Sequence, residues 1–175
     1  CLIEHMPELI DAGISSFKIE GRMKSVFYAA VVVSAYRKAI DSYIASPEKR
    51  EFNHEWLEEL CKVSHREFTT GFYFHRPSNQ DQNYRTSQYT REYSFVGMVK
   101  AYDEETGLAV VEQRNKMVLG DEIEVFGPGV DFFTQKLTEM YDEEGNAIES
   151  APHPQQILRL ERPVKAFFML RKRKD

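Results

Sequence analysis

The chain has 175 residues, 42% of them hydrophobic, and its 28 acidic and 23 basic side chains leave a formal net charge of −5. That excludes a largely disordered chain and predicts one domain, or one small domain beside part of another. An acidic chain is also a poor general coat for nucleic acid, although a local basic site is compatible with it.

No apolar run reaches the roughly 18–20 residues of a membrane span, and no signal peptide is visible, so no membrane partner is expected. The two cysteines, Cys1 and Cys61, are far apart and in no metal-ligand spacing. They predict a reduced, cytoplasmic protein with neither a disulfide framework nor a metal site. The chain opens on Cys1-Leu2-Ile3, inside an apolar segment. Termini are usually polar and frayed, so this start is read as a cut through a longer protein.

Met6 to Gly13 predicts a short helix, with Pro7 in its first turn, Glu8 at its positive end and Gly13 closing it. Ile14 to Gly21 predicts a strand through Ile14, Phe17 and Ile19, with Lys18 and Glu20 on one face at its end. Gly21 to Ser25 turns into a long helix, about Val26 to Ile44. Val26, Ala30, Val33, Arg37 and Ile40 run along one side of it, while Phe27, Val31, Val32 and Tyr36 widen the apolar surface. The order helix, strand, glycine turn, helix is that of a parallel α/β unit. The breadth of the helix front predicts that it covers a sheet lying outside the chain. The segment is then expected to pair with a second copy, swap, or fold back on the β module that ends the chain.

Such turns are where α/β enzymes place their chemistry. Lys18, Glu20, Arg22 and Lys24 are the candidate substrate- or anion-binding residues, beside a helix start that favours a phosphate or carboxylate. The competing reading is a charged cluster that pairs internally.

A polar break at Ala45 to Arg50 precedes a second helix from Asn53, an N-cap, to Val63, buried through Trp56, Leu57, Leu60 and Cys61. Ser64 to Phe74 suits a packed extended segment. His65 and His75 have no second ligand at metal-site spacing. Pro77 to Gln88 is polar and reads as a linker.

From Tyr93 the apolar period becomes two. Ser94–Tyr102 and Leu108–Arg114 predict a hairpin around Asp103 to Gly107. Met117–Phe126, Phe132–Tyr141 and Val164–Leu170 predict further strands, broken at Gly127-Pro128-Gly129, Asp142 to Asn146 and Pro152-His153-Pro154. A barrel of about six strands would hide the apolar faces better than one small sheet. Arg171, Lys172, Arg173 and Lys174 then form a solvated basic tail, or a set of RNA phosphate contacts. The fold class predicted is an α+β fragment: a helical remnant of a TIM-like (β/α) domain, then a small all-β antiparallel barrel. The expected divisions are 1–46, 47–90 and 91–175.

Glu4-His5-Met6-Pro7-Glu8-Leu9, the stretch Ser16-Phe17-Lys18-Ile19-Glu20-Gly21-Arg22-Met23-Lys24-Ser25, and Val63 to Phe72 together resemble peptidase family U32, the collagenase-like proteases. The Lys-Ile-Glu-Gly-Arg-Met-Lys stretch is the most specific part. The resemblance implies a parent about twice this length or more, with a TIM-like catalytic domain upstream. It places Lys18, Glu20, Arg22 and Lys24 at the open end of that barrel. Members are described as peptidases. Some relatives act in hydroxylation of tRNA at the wobble uridine or of other RNA, with prephenate proposed as a requirement and an iron–sulfur cluster suspected. The partner implied is a protein or peptide substrate, or tRNA, met by the full-length parent. This chain is then a non-catalytic accessory part of a peptidase, the RNA-contacting part of a tRNA-modifying enzyme, or a protein-interaction module.

Overall fold

The computed structural model describes residues 1–79, 89–160 and 162–174. The chain divides into two compact units, Cys1–Glu92 and Tyr93–Asp175. Most of the segment expected as a linker, residues 80–88 of Pro77 to Gln88, lies outside the described residues.

The first unit is helical. A 3-10 turn, Ile3–His5, runs into α1, Met6–Asp11, with Pro7 in its first turn. Gly13 then takes φ +77°, and its N–H donates to the Ile10 carbonyl at 2.9 Å. That left-handed residue stops the helix where a side chain would be strained. α2 spans Val26–Ala45, capped by Ser25, whose hydroxyl accepts from the Tyr28 N–H at 3.3 Å. α3 spans His54–Cys61, capped by the Asn53 side chain at 2.9 Å from the Glu55 N–H.

Three expectations for this unit are corrected. Ile14 to Gly21 is extended but forms no ladder among the described residues. A strand needs a partner for its backbone groups, and no described segment of this unit runs beside it. Ser64 to Phe74 is not packed along its length: Phe72, Tyr73 and Phe74 are exposed, and its backbone pairs in a bridge between His65 and Thr90. Nor does α2 lie uncovered. Phe27, Val31, Val32, Ala35, Ala39 and Tyr43 are buried, and with Ile3, Met6, Leu9, Leu60 and Val63 they give the unit a core of its own. The expected Val26–Val33 line remains wet, at 52% and 53% exposure.

The second unit is an antiparallel sheet. β1 (Tyr93–Asp103) and β2 (Leu108–Gln113) form the hairpin expected, with Asp103 opposite Leu108. β3 (Met117–Val118) leads to β4 (Glu122–Gly127) and β5 (Val130–Lys136), and β6 (Met140–Tyr141), β7 (Ser150–Ala151), β8 (Gln156–Arg159) and β9 (Met169–Arg173) follow. Seven strands make one sheet in the order β5-β4-β9-β1-β2-β8-β6, and β3 pairs with β7 apart from it.

Two expectations are corrected here. The edges β5 and β6 are not bonded to each other, so the sheet is open and not a closed barrel. One of its faces covers a core of Val96, Val99, Val111, Ile123, Val125, Leu158 and Leu170, all 0% exposed. The β3–β7 pair contributes Met117 and Ala151 to that core, so apolar area is buried without closure. The last strand also begins five residues later than expected. Val164 is buried, but Lys165 to Phe168 is a turn, and β9 runs on through Arg171, Lys172 and Arg173. The segment expected as a solvated tail is therefore mostly ladder. β9 sits between β4 and β1, with Arg171 opposite Glu124 on one side and Phe95 on the other.

Candidate functional site

A cleft of about 580 Å³ opens in the first unit. Its floor follows from the local sequence. Tyr28, Val32 and Tyr36 are spaced four apart on α2 and so share one face. Met6 and Leu9 come from α1, Leu60 from α3, Val63 from just beyond it, and Phe68 and Tyr73 from the following loop. The extended segment Ile14 to Glu20 runs along the mouth, brought there by the stop at Gly13.

The walls mix aliphatic side chains with the rings of Phe17, Tyr28, Tyr36, Phe68 and Tyr73, and polar groups line part of them. Burial pushes the Tyr36 phenol up from its ordinary value, and its oxygen accepts from the Leu2 N–H at 3.0 Å. At the mouth, Lys18 Nζ and Glu20 Oε2 are 3.5 Å apart, with side chains 86% and 69% exposed. Such an exposed pair contributes little to stability. It is also free to exchange partners with a charged ligand. The cleft can hold an apolar or aromatic body, with one cation and one anion at its entrance.

The four residues expected together are thus divided. Lys18 and Glu20 line the cleft; Arg22 and Lys24 do not. Arg22 is exposed in the turn. Lys24 has turned inward: its Nζ donates to the Ser64 carbonyl at 3.0 Å and stands 3.9 Å from the centre of the Tyr89 ring. It ties the turn before α2 to the chain after α3. The Ser25 cap already uses one N–H of the helix start expected to hold an anion. Sequence reading passed over Tyr28, Phe68 and Tyr73 as cavity walls. The 28–32–36 spacing was the available signal for the first.

In the second unit the basic residues divide too. Arg171 is 0% exposed, with Nε and Nη2 at 2.7 and 2.6 Å from Glu124 Oε2. The other Glu124 oxygen accepts from the Tyr93 hydroxyl at 3.2 Å. Rings of Phe126, Tyr93 and Phe132 surround the guanidinium, with centres at 4.8, 5.5 and 5.5 Å. Lys172 pairs with Asp121 at 2.6 Å. Arg173 and Lys174 are exposed.

An iron–sulfur cluster needs three or four thiolates or equivalent ligands. Cys1 is exposed, Cys61 is half-buried with its thiol pushed up by burial, and the described residues contain no group of three or more His, Cys, Asp or Glu that could hold a metal ion. The described residues of this chain do not fit such a cluster. Among the described residues no helix is long and apolar enough to cross a membrane.

The family models divide the chain much as its fold does. Peptidase family U32 matches residues 1–83, and the peptidase family U32 C-terminal domain matches residues 91–171. The chain belongs to peptidase family U32. Among curated relatives, tRNA hydroxylation protein P1 of Bacillus subtilis is 44% identical over 175 residues, 99% of this chain and 42% of that protein. tRNA hydroxylation protein P of Escherichia coli is 36% identical over 152 residues, 86% of this chain and 32% of that protein. A collagenase of Porphyromonas gingivalis is 31% identical over 139 residues, 79% of this chain and 38% of that protein. The chain therefore spans less than half the length of these relatives. A crystal structure of the C-terminal domain of a Geobacillus thermoleovorans protein assigned to the U32 peptidases shares 42% identity and a TM-score of 0.43, over 45% of this chain and 99% of that one.

Proposed function

We propose that this chain is the C-terminal part of a U32 protein that hydroxylates tRNA, and that residues 93–175 help to hold the tRNA. The observation that carries this reading is the 44% identity to a tRNA hydroxylation protein across 99% of the chain, through both units. The first unit then contributes Lys18 and Glu20, at the mouth of its cleft, to the substrate site of the longer protein. Arg22 stays available for a phosphate, and Lys24 holds the turn in place. Arg173 and Lys174 are the basic residues at the end of β9 open to the RNA backbone; Arg171 and Lys172 hold the strand. Such a protein works in the cytoplasm, where tRNA is modified. A cluster in the longer protein takes its ligands from outside this chain.

Phosphate contacts release counterions, so binding that uses them weakens linearly in log affinity against log salt. The test is tRNA binding by the full-length protein across a salt series, with and without residues 93–175. Salt-dependent binding that weakens on removal of that unit is expected. Binding that is absent, or indifferent to the deletion, would count against the reading.

A second reading rests on the P. gingivalis relative, 31% identical over 139 residues and named a collagenase. There the same two units assist a peptidase in holding a protein or peptide substrate. Gelatin cleavage by the full-length protein, abolished by a cleft substitution such as Lys18→Met, would favour it.

A further inference from the structure

One residue of the second unit is held in a conformation that its own packing does not explain. Phe167 has φ +71° and a relative exposure of 67%. It is the third residue of a turn closed by the Phe168 N–H donating to the Lys165 carbonyl at 3.1 Å. A positive φ at that place is the pattern of a type II turn, which favours glycine or asparagine. For an aromatic residue the conformation is strained. Burying the ring would offset the strain, but this ring is mostly in water.

The strain is held in place from both sides. The Phe167 N–H donates to the Val99 carbonyl at 2.8 Å, and the Val99 N–H donates to the Phe168 carbonyl at 2.7 Å. Phe168 is buried at 3% exposure and lies against Gly127, where an added Cβ would meet its ring carbon at 2.1 Å. The inner phenylalanine is therefore an anchor, and the outer one is turned away from the core by the backbone.

The surroundings indicate what the ring meets. Lys165 and Arg162 are exposed on the same segment; the Arg162 guanidinium stands 5.2 Å from the centre of the Phe133 ring, and Lys165 is two residues before Phe167. Lys100 follows Val99 at the irregularity in β1, and its Nζ is shared with Glu112 at 3.1 Å. A protein partner would call for a contiguous apolar patch. An exposed ring with an exposed lysine two residues before it suits a stacked base with its phosphate nearby.

We infer that Phe167 is a stacking platform for an unpaired base of RNA, with Lys165, two residues before it, for the adjoining phosphate. The inference rests on the tRNA reading above and deepens it. It is tested with the full-length protein, using total tRNA and a single-stranded oligouridylate as probes, and Phe167→Ala, Phe167→Gly and Phe167→Trp as variants. Loss of one stacked base weakens binding roughly 5- to 100-fold. The alanine and glycine variants are expected to lose affinity in that range, and the tryptophan variant to stay near wild type. The glycine variant also relieves the strain, so its melting temperature is expected to hold or rise while its affinity falls. Wild-type binding with unchanged affinity in the alanine and glycine variants would overturn this inference alone. A wild-type protein that binds neither probe would overturn the tRNA reading and this inference with it. Loss of gelatin binding in place of RNA binding would show a protein occupant and overturn it as well.

Discussion

Glu124 and Arg171 stand opposite each other across the β4–β9 ladder, and a single carboxylate oxygen receives both Nε and Nη2 of the arginine, at 2.7 and 2.6 Å. With three aromatic rings around the guanidinium, this pair is a small polar centre on the sheet face that does not cover the main core. Removing one partner of a buried pair strands the other charge, at a cost of about 3–5 kcal/mol. Glu124→Leu is therefore expected to be severely destabilising in urea denaturation. Glu124→Leu with Arg171→Met is expected to recover most of the loss. A single substitution that costs nothing measurable would contradict this role.

Gly127→Ala is expected to destabilise by about 1–3 kcal/mol, because overpacking forces neighbours off their preferred positions. The new Cβ would lie 2.1 Å from the Phe168 ring. The ring is buried and pinned by the turn beside it, so it has little room to retreat. Thermal denaturation of the variant gives the answer, and Gly127→Ala with Phe168→Leu is expected to be milder.

Asp11 links α1 to the end of α2. Its carboxylate accepts from the Tyr43 hydroxyl at 2.5 Å and pairs with Arg50. The Tyr43 hydrogen bond, and then Arg50, hold the Asp11 carboxyl below its ordinary value of 3.8. A carboxyl whose folded pKa is depressed contributes stability above its unfolded pKa and loses it as pH falls through the folded one. The first unit is thus expected to melt at a steady temperature from neutral pH to about 4, then lose stability below that. Asp11→Asn should flatten the acid limb. An unchanged limb would assign it to other carboxylates.

Lys24→Met is expected to loosen the segment around His65 and Thr90 rather than the cleft. It removes the bond to the Ser64 carbonyl and the contact with Tyr89, a loss of about 1–2 kcal/mol. Hydrogen exchange should quicken at the Thr90 and His65 amides, which bond across the bridge at 2.9 and 3.3 Å. Lys18→Met is expected to leave those amides unchanged.

The helices were legible because each carries its own punctuation. Asn53 and Ser25 cap, Gly13 stops, and the apolar residues fall at helical spacing. The β1–β2 hairpin was equally local, fixed by the Asp103 to Gly107 turn. What escaped depends on partners distant in sequence. Ile14 to Gly21 has strand-forming residues, but a strand exists only beside another. The fate of Arg171 turns on Glu124, 47 residues away, and on Phe126 and Phe132, which no window around the basic run includes. At the candidate site, the mouth residues Lys18 and Glu20 could be read as neighbours on one extended face. That Lys24 leaves them is decided by Ser64 and Tyr89, on segments that only folding brings near.

The most direct measurement is made on tRNA itself. A bacterium lacking its own tRNA hydroxylation protein is supplied with the full-length protein, and its tRNA nucleosides are separated and weighed by mass spectrometry. The account predicts that the missing hydroxylated nucleoside reappears, and that it fails to reappear when residues 93–175 are removed. Tests on gelatin run alongside. Stable, soluble protein that restores no hydroxylated nucleoside and cleaves gelatin would contradict the account and leave the peptidase reading in its place.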